Sequence, residues 1–246
     1  MAHAPGLSLA IAEKRFAADG PPLLASFDLS VAPGSVVALL GASGIGKSSL
    51  LRLVAGIDRD FRGRIAIDGI EAALAPPPGF VFQDPRLLPW LTALDNIRAA
   101  DSRLGKDAAR TLLARLGLAD SAKAYPRQLS GGMQRRVALA RALARNAGLL
   151  LLDEPFVSLD SALLDDMYRL LDQVIDTDHP TMVFVTHLPA DAARLADRVV
   201  VLAGRPARIL HDLAFPLQRR ARDRATLERY ATRIATLAHT RPAAPA

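Results

Sequence analysis

The fold is decided by residues 36–57, "VVALLGASGIGKSSLLRLVAGI", where an apolar segment leads into a glycine-rich loop and then into a predicted helix. Gly41, Gly46, Lys47 and Ser48 fit G-x4-G-K-[ST] in the strand-to-helix setting that this motif requires. The glycines let backbone N–H groups close around phosphate, the lysine reaches the terminal phosphates and the serine hydroxyl can bind Mg²⁺. An ordinary glycine-rich turn is a poor alternative, because only four of the 31 cationic residues are lysines. The motif therefore predicts a site for a nucleoside triphosphate.

Strand and helix patterns alternate around this loop. Extended segments are predicted at 7–12, 24–31, 63–69, 79–83, 149–153, 181–186 and 198–203. Helices are predicted near 92–100, 107–117, 132–145, 161–176 and 189–196. Such alternation implies an α/β fold with a mainly parallel sheet covered by helices, and the mostly helical stretch from 84 to 146 is predicted to be an inserted subdomain.

Two further strands are predicted to end in polar residues. "LLLLDEP" places Asp153 at the carboxyl end of a buried strand, where open α/β folds bind their ligands. Asp153 can hold Mg²⁺ through water, and Glu154 can polarise an attacking water molecule. "TMVFVTH" leaves His187 at the end of another strand, although a lone histidine is more often an ordinary polar residue.

A second glycine pair begins the helix "LSGGMQRRVALARALAR", residues 129–145. Ser130 is a good N-cap, and Gly131 and Gly132 leave the first-turn N–H groups unobstructed, so this helix start predicts a second anion site. The alternative is a plain helix cap. One triphosphate is already accounted for by residues 41–48, so the second site is best explained by a nucleotide held by another subunit.

These motifs, in this order, resemble the ATP-binding cassette family over nearly the whole chain. The family's phosphate loop corresponds to 41–49, its glutamine loop to Gln83, its signature to "LSGGM" at 129–133, its second nucleotide motif to Leu149–Asp153 with Glu154, its D-loop to "SLD" at 158–160 and its switch histidine to His187. Phe16 falls where the family has an aromatic side chain that stacks on adenine, but a phenylalanine is more often a core residue.

The resemblance implies roles for the matched residues. ATP and Mg²⁺ are the implied ligands, and the family fold has a mainly parallel core sheet, a small antiparallel β subdomain and an inserted helical subdomain. Glu154 would be the general base, Gln83 would sense Mg²⁺ and the γ-phosphate, and His187 would contact the γ-phosphate. Nucleotide would be bound by Phe16, Gly41, Ser43, Gly44, Gly46, Lys47, Ser48 and Ser49, with Ser130, Gly131, Gly132 and Asp160 acting across a head-to-tail dimer. Mg²⁺ would be held by Ser48, Gln83 and Asp153.

The segment "VFQDPRLLPWLTALDNI", residues 81–97, resembles the ATPases of nitrate, sulfonate and taurine importers. In that group this segment lies near the groove that receives the permease, so Leu87, Leu88, Pro89 and Trp90 are candidates for a docking surface; Trp90 could equally be a core residue. The residue after the switch histidine is Leu188, where those importers usually have an acidic residue. The resemblance implies a second copy of the chain, permease subunits and an extracytoplasmic substrate-binding protein as partners.

Composition limits the other possibilities. The chain of 246 residues has no cysteine, no apolar run long enough to span a membrane and no signal-peptide pattern, so we expect it at the cytoplasmic face of the inner membrane, held there by a partner. The formal charge of +6 suggests a runner-up, a soluble cassette acting on nucleic acid or ribosomes, but scattered surface charge explains it as well and no direct nucleic-acid contact is expected. We expect residues 1–218 to form the cassette and 219–246 a short helical tail, whose apolar stripe docks on the protein's own surface or, alternatively, on a lipid or partner.

Overall fold

The computed structural model describes residues 3–17, 19–145 and 148–238. Residues 1–2, 18 and 146–147 of the expected cassette, of which Asn146 ends the predicted helical subdomain, and residues 239–246 of the expected tail lie outside the described residues. The strands are β1 (Leu7–Lys14), β2 (Leu24–Val31), β3 (Val36–Gly41), β4 (Arg62–Ile67), β5 (Ile70–Glu71), β6 (Gly79–Val81), β7 (Leu149–Asp153), β8 (Thr181–Thr186), β9 (Arg198–Ala203) and β10 (Arg208–Ala214). The α-helices are α1 (Lys47–Val54), α2 (Ala93–Arg98), α3 (Lys106–Arg115), α4 (Gly131–Leu143), α5 (Ser161–Asp178), α6 (Pro189–Leu195) and α7 (Arg224–Ala238).

The chain divides into two compact units. The sheet unit comprises Pro5–Pro76 and Thr181–Ala246, and the helical unit comprises Met1–Ala4 and Pro77–Pro180. Each unit is made of two separate stretches of sequence.

The sheet unit contains two sets of strands. One is antiparallel in the order β2-β1-β4-β5, and its strand β1 alternates buried and exposed side chains, as expected for a sheet with one face in the core. The other has the order β10-β9-β3-β8, with β3 parallel to both neighbours and β10 antiparallel at the edge. Every side chain of β8 is buried, which is typical of a parallel sheet covered on both faces.

Within its described residues, the helical unit contains one parallel strand pair and four α-helices. Strands β6 and β7 are paired in register from Gly79 to Val81 and from Leu150 to Leu152. Gly79 is required there, because a Cβ atom on it would lie 2.6 Å from the carbonyl oxygen of Ala142. The helices of this unit are α2 to α5.

Most predicted elements are confirmed within a few residues, and the differences have physical causes. The strand predicted at 79–83 ends at Val81, so Gln83 lies beyond the ladder. Strand β10 is not among the predicted elements, because its residues are a mixture of exposed and half-buried side chains without regular alternation. The tail helix α7 packs on α6, with Ile234 fully buried, so intramolecular docking of the apolar stripe is confirmed.

Candidate functional site

The glycine-rich loop joins the buried strand β3 to helix α1 in the sheet unit. The Lys47 side chain is only 4% exposed, and its ammonium group donates hydrogen bonds to the carbonyl oxygens of Gly41 (2.7 Å) and Ala42 (2.9 Å). Because the first N–H groups of a helix have no intrahelical acceptor, α1 begins with donors directed at this loop. A buried cation and a helix N-terminus therefore lie at the same loop, which is the donor set that phosphate requires.

Three glycines shape the loop for different reasons. Gly41 is needed for close packing, since a Cβ atom there would lie 2.7 Å from the carbonyl oxygen of Leu202. Gly46 has φ of 109° and is packed against the side chain of Leu23, so the left-handed backbone and the limited space both exclude a larger residue. Gly44, with φ of 75°, has mostly open space where its Cβ would be.

The predicted switch histidine lies at the same edge of the sheet as the loop. Strands β3 and β8 are parallel with Leu40 opposite Thr186, so Gly41 and His187 are the next residues of neighbouring strands. His187 is exposed. The turn after β8 is held by the buried Thr186 hydroxyl, which donates to the carboxylate of Asp191 (2.6 Å) and accepts the N–H of Leu188 (3.0 Å). Sequence reasoning missed Asp191, although a carboxylate within the first turn of a predicted helix is a signal that could have indicated it.

The segment that contains Phe16 follows β1. Phe16 is 73% exposed, which excludes the core alternative and leaves its ring available to a ligand. The Arg15 guanidinium donates to the carboxylate of Glu13 (2.8 Å) and to the carbonyl oxygen of Gly20, and Arg62 also donates to Glu13 (2.9 Å). The hydrogen bond from Arg15, reinforced by the charges of Arg15 and Arg62, lowers the pKa of Glu13 from 4.5 to about 2.

In the helical unit, Gln83 lies beyond the carboxyl end of β6, and Asp153 and Glu154 lie at the carboxyl end of β7. Val81 is opposite Leu152, so Gln83 and Glu154 each lie two residues beyond this pair. Asp153 is 3% exposed, Glu154 is half-buried and Gln83 is exposed. Glu154 has φ of 47°, a left-handed conformation that is uncommon for any residue except glycine.

Helix α4 begins as the sequence predicts. The Ser130 hydroxyl accepts the N–H of Met133 (3.2 Å), which confirms the N-cap. A Cβ atom on Gly131 would have no neighbour within 4 Å, whereas one on Gly132 would lie 2.8 Å from a methyl group of Leu163. Gly131 therefore faces open space, whereas Gly132 is required for close packing against Leu163. Asp160, which is exposed, caps the following helix α5 by accepting the N–H of Leu163 (2.9 Å).

Comparisons with known proteins agree with these motifs. The family model described as "ABC transporter" matches residues 24–157. The chain belongs to the ABC transporter family. An aliphatic sulfonates import ATP-binding protein of Xanthomonas axonopodis pv. citri is 45% identical over 231 residues, covering 91% of this chain and 90% of that protein. One of the same description from Rhodococcus jostii is 47% identical over 180 residues, covering 73% and 72%.

Solved structures of the family share the fold. The dimeric structure of an ATP-binding cassette in a post-hydrolysis state, bound to ADP and Pi, matches with a TM-score of 0.74 and 29% identity, covering 86% of this chain and all of that one. The resemblance to the ATP-binding cassette family and the predicted P-loop α/β fold are therefore confirmed, and the chain is an ABC ATPase that binds ATP.

The segment after Gln83 is fixed within the cassette by two polar side chains. Asn96 is fully buried; its side-chain oxygen accepts the N–H of Leu88 (2.8 Å) and its amide nitrogen donates to three carbonyl oxygens of the same segment. Arg141 donates to the carbonyl oxygens of Pro85 (2.8 Å) and Arg86 (2.7 Å). Sequence reasoning missed both, although an asparagine within an apolar helical pattern was a usable signal for Asn96.

This fixed segment presents apolar side chains. Leu87 and Leu88 are half-buried, Pro89 is exposed and Trp90 is 69% exposed, so the core alternative for Trp90 is excluded. Among the described residues, no helix combines the length and apolar character needed to cross a membrane, and none of their His, Asp and Glu side chains form a cluster of three suited to a metal ion.

Proposed function

We propose that this chain is the ATP-hydrolysing subunit of a bacterial ABC importer, in which ATP-driven closure of a dimer energises a separate membrane permease. The observation that carries the proposal is that one chain contains two helix starts suited to phosphate, the loop before α1 and the open start of α4 at Gly131. A single bound triphosphate requires only one of them. A head-to-tail pair of chains uses both, and the structural relatives described as dimeric support such a pair.

In this proposal the loop before α1 binds the phosphates of ATP. The backbone of Gly41, Ser43, Gly44, Gly46 and Ser49 surrounds the phosphate chain, Lys47 neutralises its charge, and Phe16 stacks on the base. The exposure of Phe16 and the burial of Lys47 at the loop both support these roles. Across the dimer, the nucleotide-binding site would be completed by residues of the second copy, namely Ser130, Gly131, Gly132 and Asp160.

The proposed hydrolytic residues are Glu154, Gln83 and His187. Glu154 acts as general base toward the attacking water, Gln83 senses Mg²⁺ and the γ-phosphate, and His187 contacts the γ-phosphate. The side chains proposed to hold Mg²⁺ are Ser48, Gln83 and Asp153, whose oxygen donors suit this cation. When bound, Mg²⁺ would neutralise charge on the transferred phosphoryl group.

Small anionic or sulfonate-like solutes are the proposed cargo, because the most similar relatives reported above are named as aliphatic sulfonates import proteins. In this proposal residues 1–218 form the cassette, 84–146 its helical subdomain and 219–246 the tail. The subunit would act at the cytoplasmic face of the inner membrane, together with permease subunits and an extracytoplasmic substrate-binding protein. The alternative of a soluble cassette acting on nucleic acid or ribosomes is not favoured by these relatives.

The permease would dock on the apolar segment of Leu87, Leu88, Pro89 and Trp90. This segment is rigid, because Asn96 and Arg141 fix its backbone, and it presents the exposed Trp90. A rigid surface that presents an exposed aromatic side chain is typical of an interaction hot spot.

Affinity purification of the tagged chain from detergent-solubilised native membranes tests this proposal. We expect a polytopic membrane protein in stoichiometric amount, and we expect Trp90→Ala to reduce its recovery at least about tenfold, as loss of a hot-spot aromatic does. Leu74→Ala is the matched control, since Leu74 is 79% exposed but lies outside the docking segment. Recovery of only soluble proteins, nucleic acid or ribosomes would overturn the transport proposal and leave the ATPase assignment intact.

A further inference from the structure

One cation near the phosphate loop has no role in the site described so far. Arg205 lies in the turn between β9 and β10, and its Nη2 atom is 3.8 Å from the position that a Cβ atom on Gly44 would occupy. Its side chain is exposed, and its guanidinium forms no hydrogen bond or ion pair with any residue in the described part of the chain. All five of its N–H donors are therefore available at the edge of the loop.

The backbone around Arg205 is anchored to the same loop. Strands β3 and β9 are parallel with Gly41 opposite Leu202, so the turn that follows Leu202 lies at the edge of the sheet where the loop begins. The N–H of Ala207 donates to the carbonyl oxygen of Leu23 (2.8 Å). The Leu23 side chain in turn packs at 3.0 Å from the Cβ position of Gly46.

Two cations thus lie at one short loop. Lys47 is buried against its carbonyl groups, and Arg205 borders the open side at Gly44. A guanidinium on an anchored turn, with no partner among the described residues, is suited to a bidentate contact with phosphate oxygens. We propose that Arg205 binds the phosphate chain of the nucleotide in this loop, as a second cation beside Lys47. This inference rests on the proposed ATP site.

Equilibrium binding of MgADP and MgATP to the full chain tests the inference. We expect Arg205→Ala to weaken both affinities about tenfold, the size expected for loss of one charge-assisted hydrogen bond. Arg205→Lys should weaken them less, because it keeps the charge but loses the planar fork. The matched control is Arg208→Ala, which removes one exposed cation from the same hairpin and should leave both affinities unchanged.

Further binding measurements distinguish a phosphate contact of Arg205 from a contact with the ribose, the base or a second copy of the chain. Inorganic tripolyphosphate is used as a competitor, and Arg205→Ala should bind it more weakly than the wild type does, by the same factor as for MgADP. If the affinity for tripolyphosphate is unchanged, Arg205 contacts the ribose or the base, and the assignment is overturned. Loss of MgATP affinity alone, together with loss of a dimer, would identify a contact with a second copy and would also overturn it. Equal affinities of Arg205→Ala and Arg208→Ala for the nucleotides would also overturn it.

A wild-type chain that binds no nucleotide would instead refute the proposed function. Because Arg205 is exposed and has no partner in the described part of the chain, the unfolding midpoint of Arg205→Ala should match that of the wild type, which verifies that the variant is folded.

Discussion

Glu154 combines a functional expectation with an unusual backbone. Its φ of 47° is followed, four residues later, by φ of 59° at Ser158, and each such conformation costs on the order of 1–3 kcal/mol for a residue other than glycine. Glycine at either position would avoid that cost but would remove the side chain. The retained strain therefore fits a carboxylate whose position matters more than its contribution to stability.

The Glu13 carboxylate should titrate far below the usual range, because Arg15 and then Arg62 hold its charged form. Since its pKa falls from 4.5 to about 2 on folding, the unfolded chain takes up this proton first as pH decreases. The ion pair therefore stabilises the fold fully above pH 4.5, and its contribution is lost as pH falls from 4.5 toward 2. NMR titration of Glu13 checks this expectation. Arg15→Ala should raise the pKa, and Arg64→Ala, whose guanidinium donates to the carbonyl oxygen of Gly69, should not. A wild-type pKa near 4.5 would contradict it.

Individual residues show where sequence reasoning reaches its limit. The positions of Lys47, Asp153 and Glu154 in the fold could be predicted, because each lies at or shortly after the carboxyl end of a buried strand. The exposure of Phe16 and Trp90 could not, since aromatic side chains occur both in cores and at binding surfaces. Arg205 could not be predicted either, because it reaches the phosphate loop only through the pairing of β9 with β3.

The two glycines at the start of α4 should respond differently to alanine. Gly131→Ala meets no atom within 4 Å, so we expect an unchanged or slightly raised unfolding midpoint together with a loss of ATP turnover, because the methyl group occupies the space in front of the helix. Gly132→Ala forces Leu163 to move and should destabilise the chain by about 1 kcal/mol, the lower end for overpacking. Thermal unfolding and steady-state ATPase measurements compare the two. Wild-type turnover in Gly131→Ala would remove this helix start from the nucleotide site.

Whole elements could be predicted where their sequence carries a clear signal, such as a run of apolar residues or a capping residue. Strands β3, β7 and β8 are continuous apolar runs, and the helix starts at Ser130 and Asp160 are marked by capping residues. Strand β10 has neither signal, because it pairs on one side with β9 and is half-buried. The pairing of Arg141 with backbone carbonyl groups was equally hidden, since an arginine in a helix gives no indication of its partner.

Neither unit of the molecule contains all the predicted site residues. The sheet unit contains the phosphate loop, Phe16 and His187, and the helical unit contains Gln83, Glu154 and the α4 start. If the proposed roles are correct, neither unit can hydrolyse ATP alone, because each contains only part of the predicted site residues. The chain also has the two helix starts, before α1 and at α4, that are predicted to bind phosphate and that a head-to-tail dimer would use.

ATP should therefore bring two chains together, and hydrolysis should release them. We expect Glu154→Gln to lower turnover at least about 100-fold, as loss of a general base does, while MgATP produces a stable dimer by light scattering. Adding Lys47→Ala to that variant should abolish the dimer, because the phosphates lose their buried cation. Asp165→Asn, which neutralises an exposed carboxylate on α5, should leave turnover unchanged. If Glu154→Gln retains wild-type turnover, Glu154 is not the base; if it loses turnover but stays monomeric with MgATP, the base assignment stands and the dimer proposal is wrong.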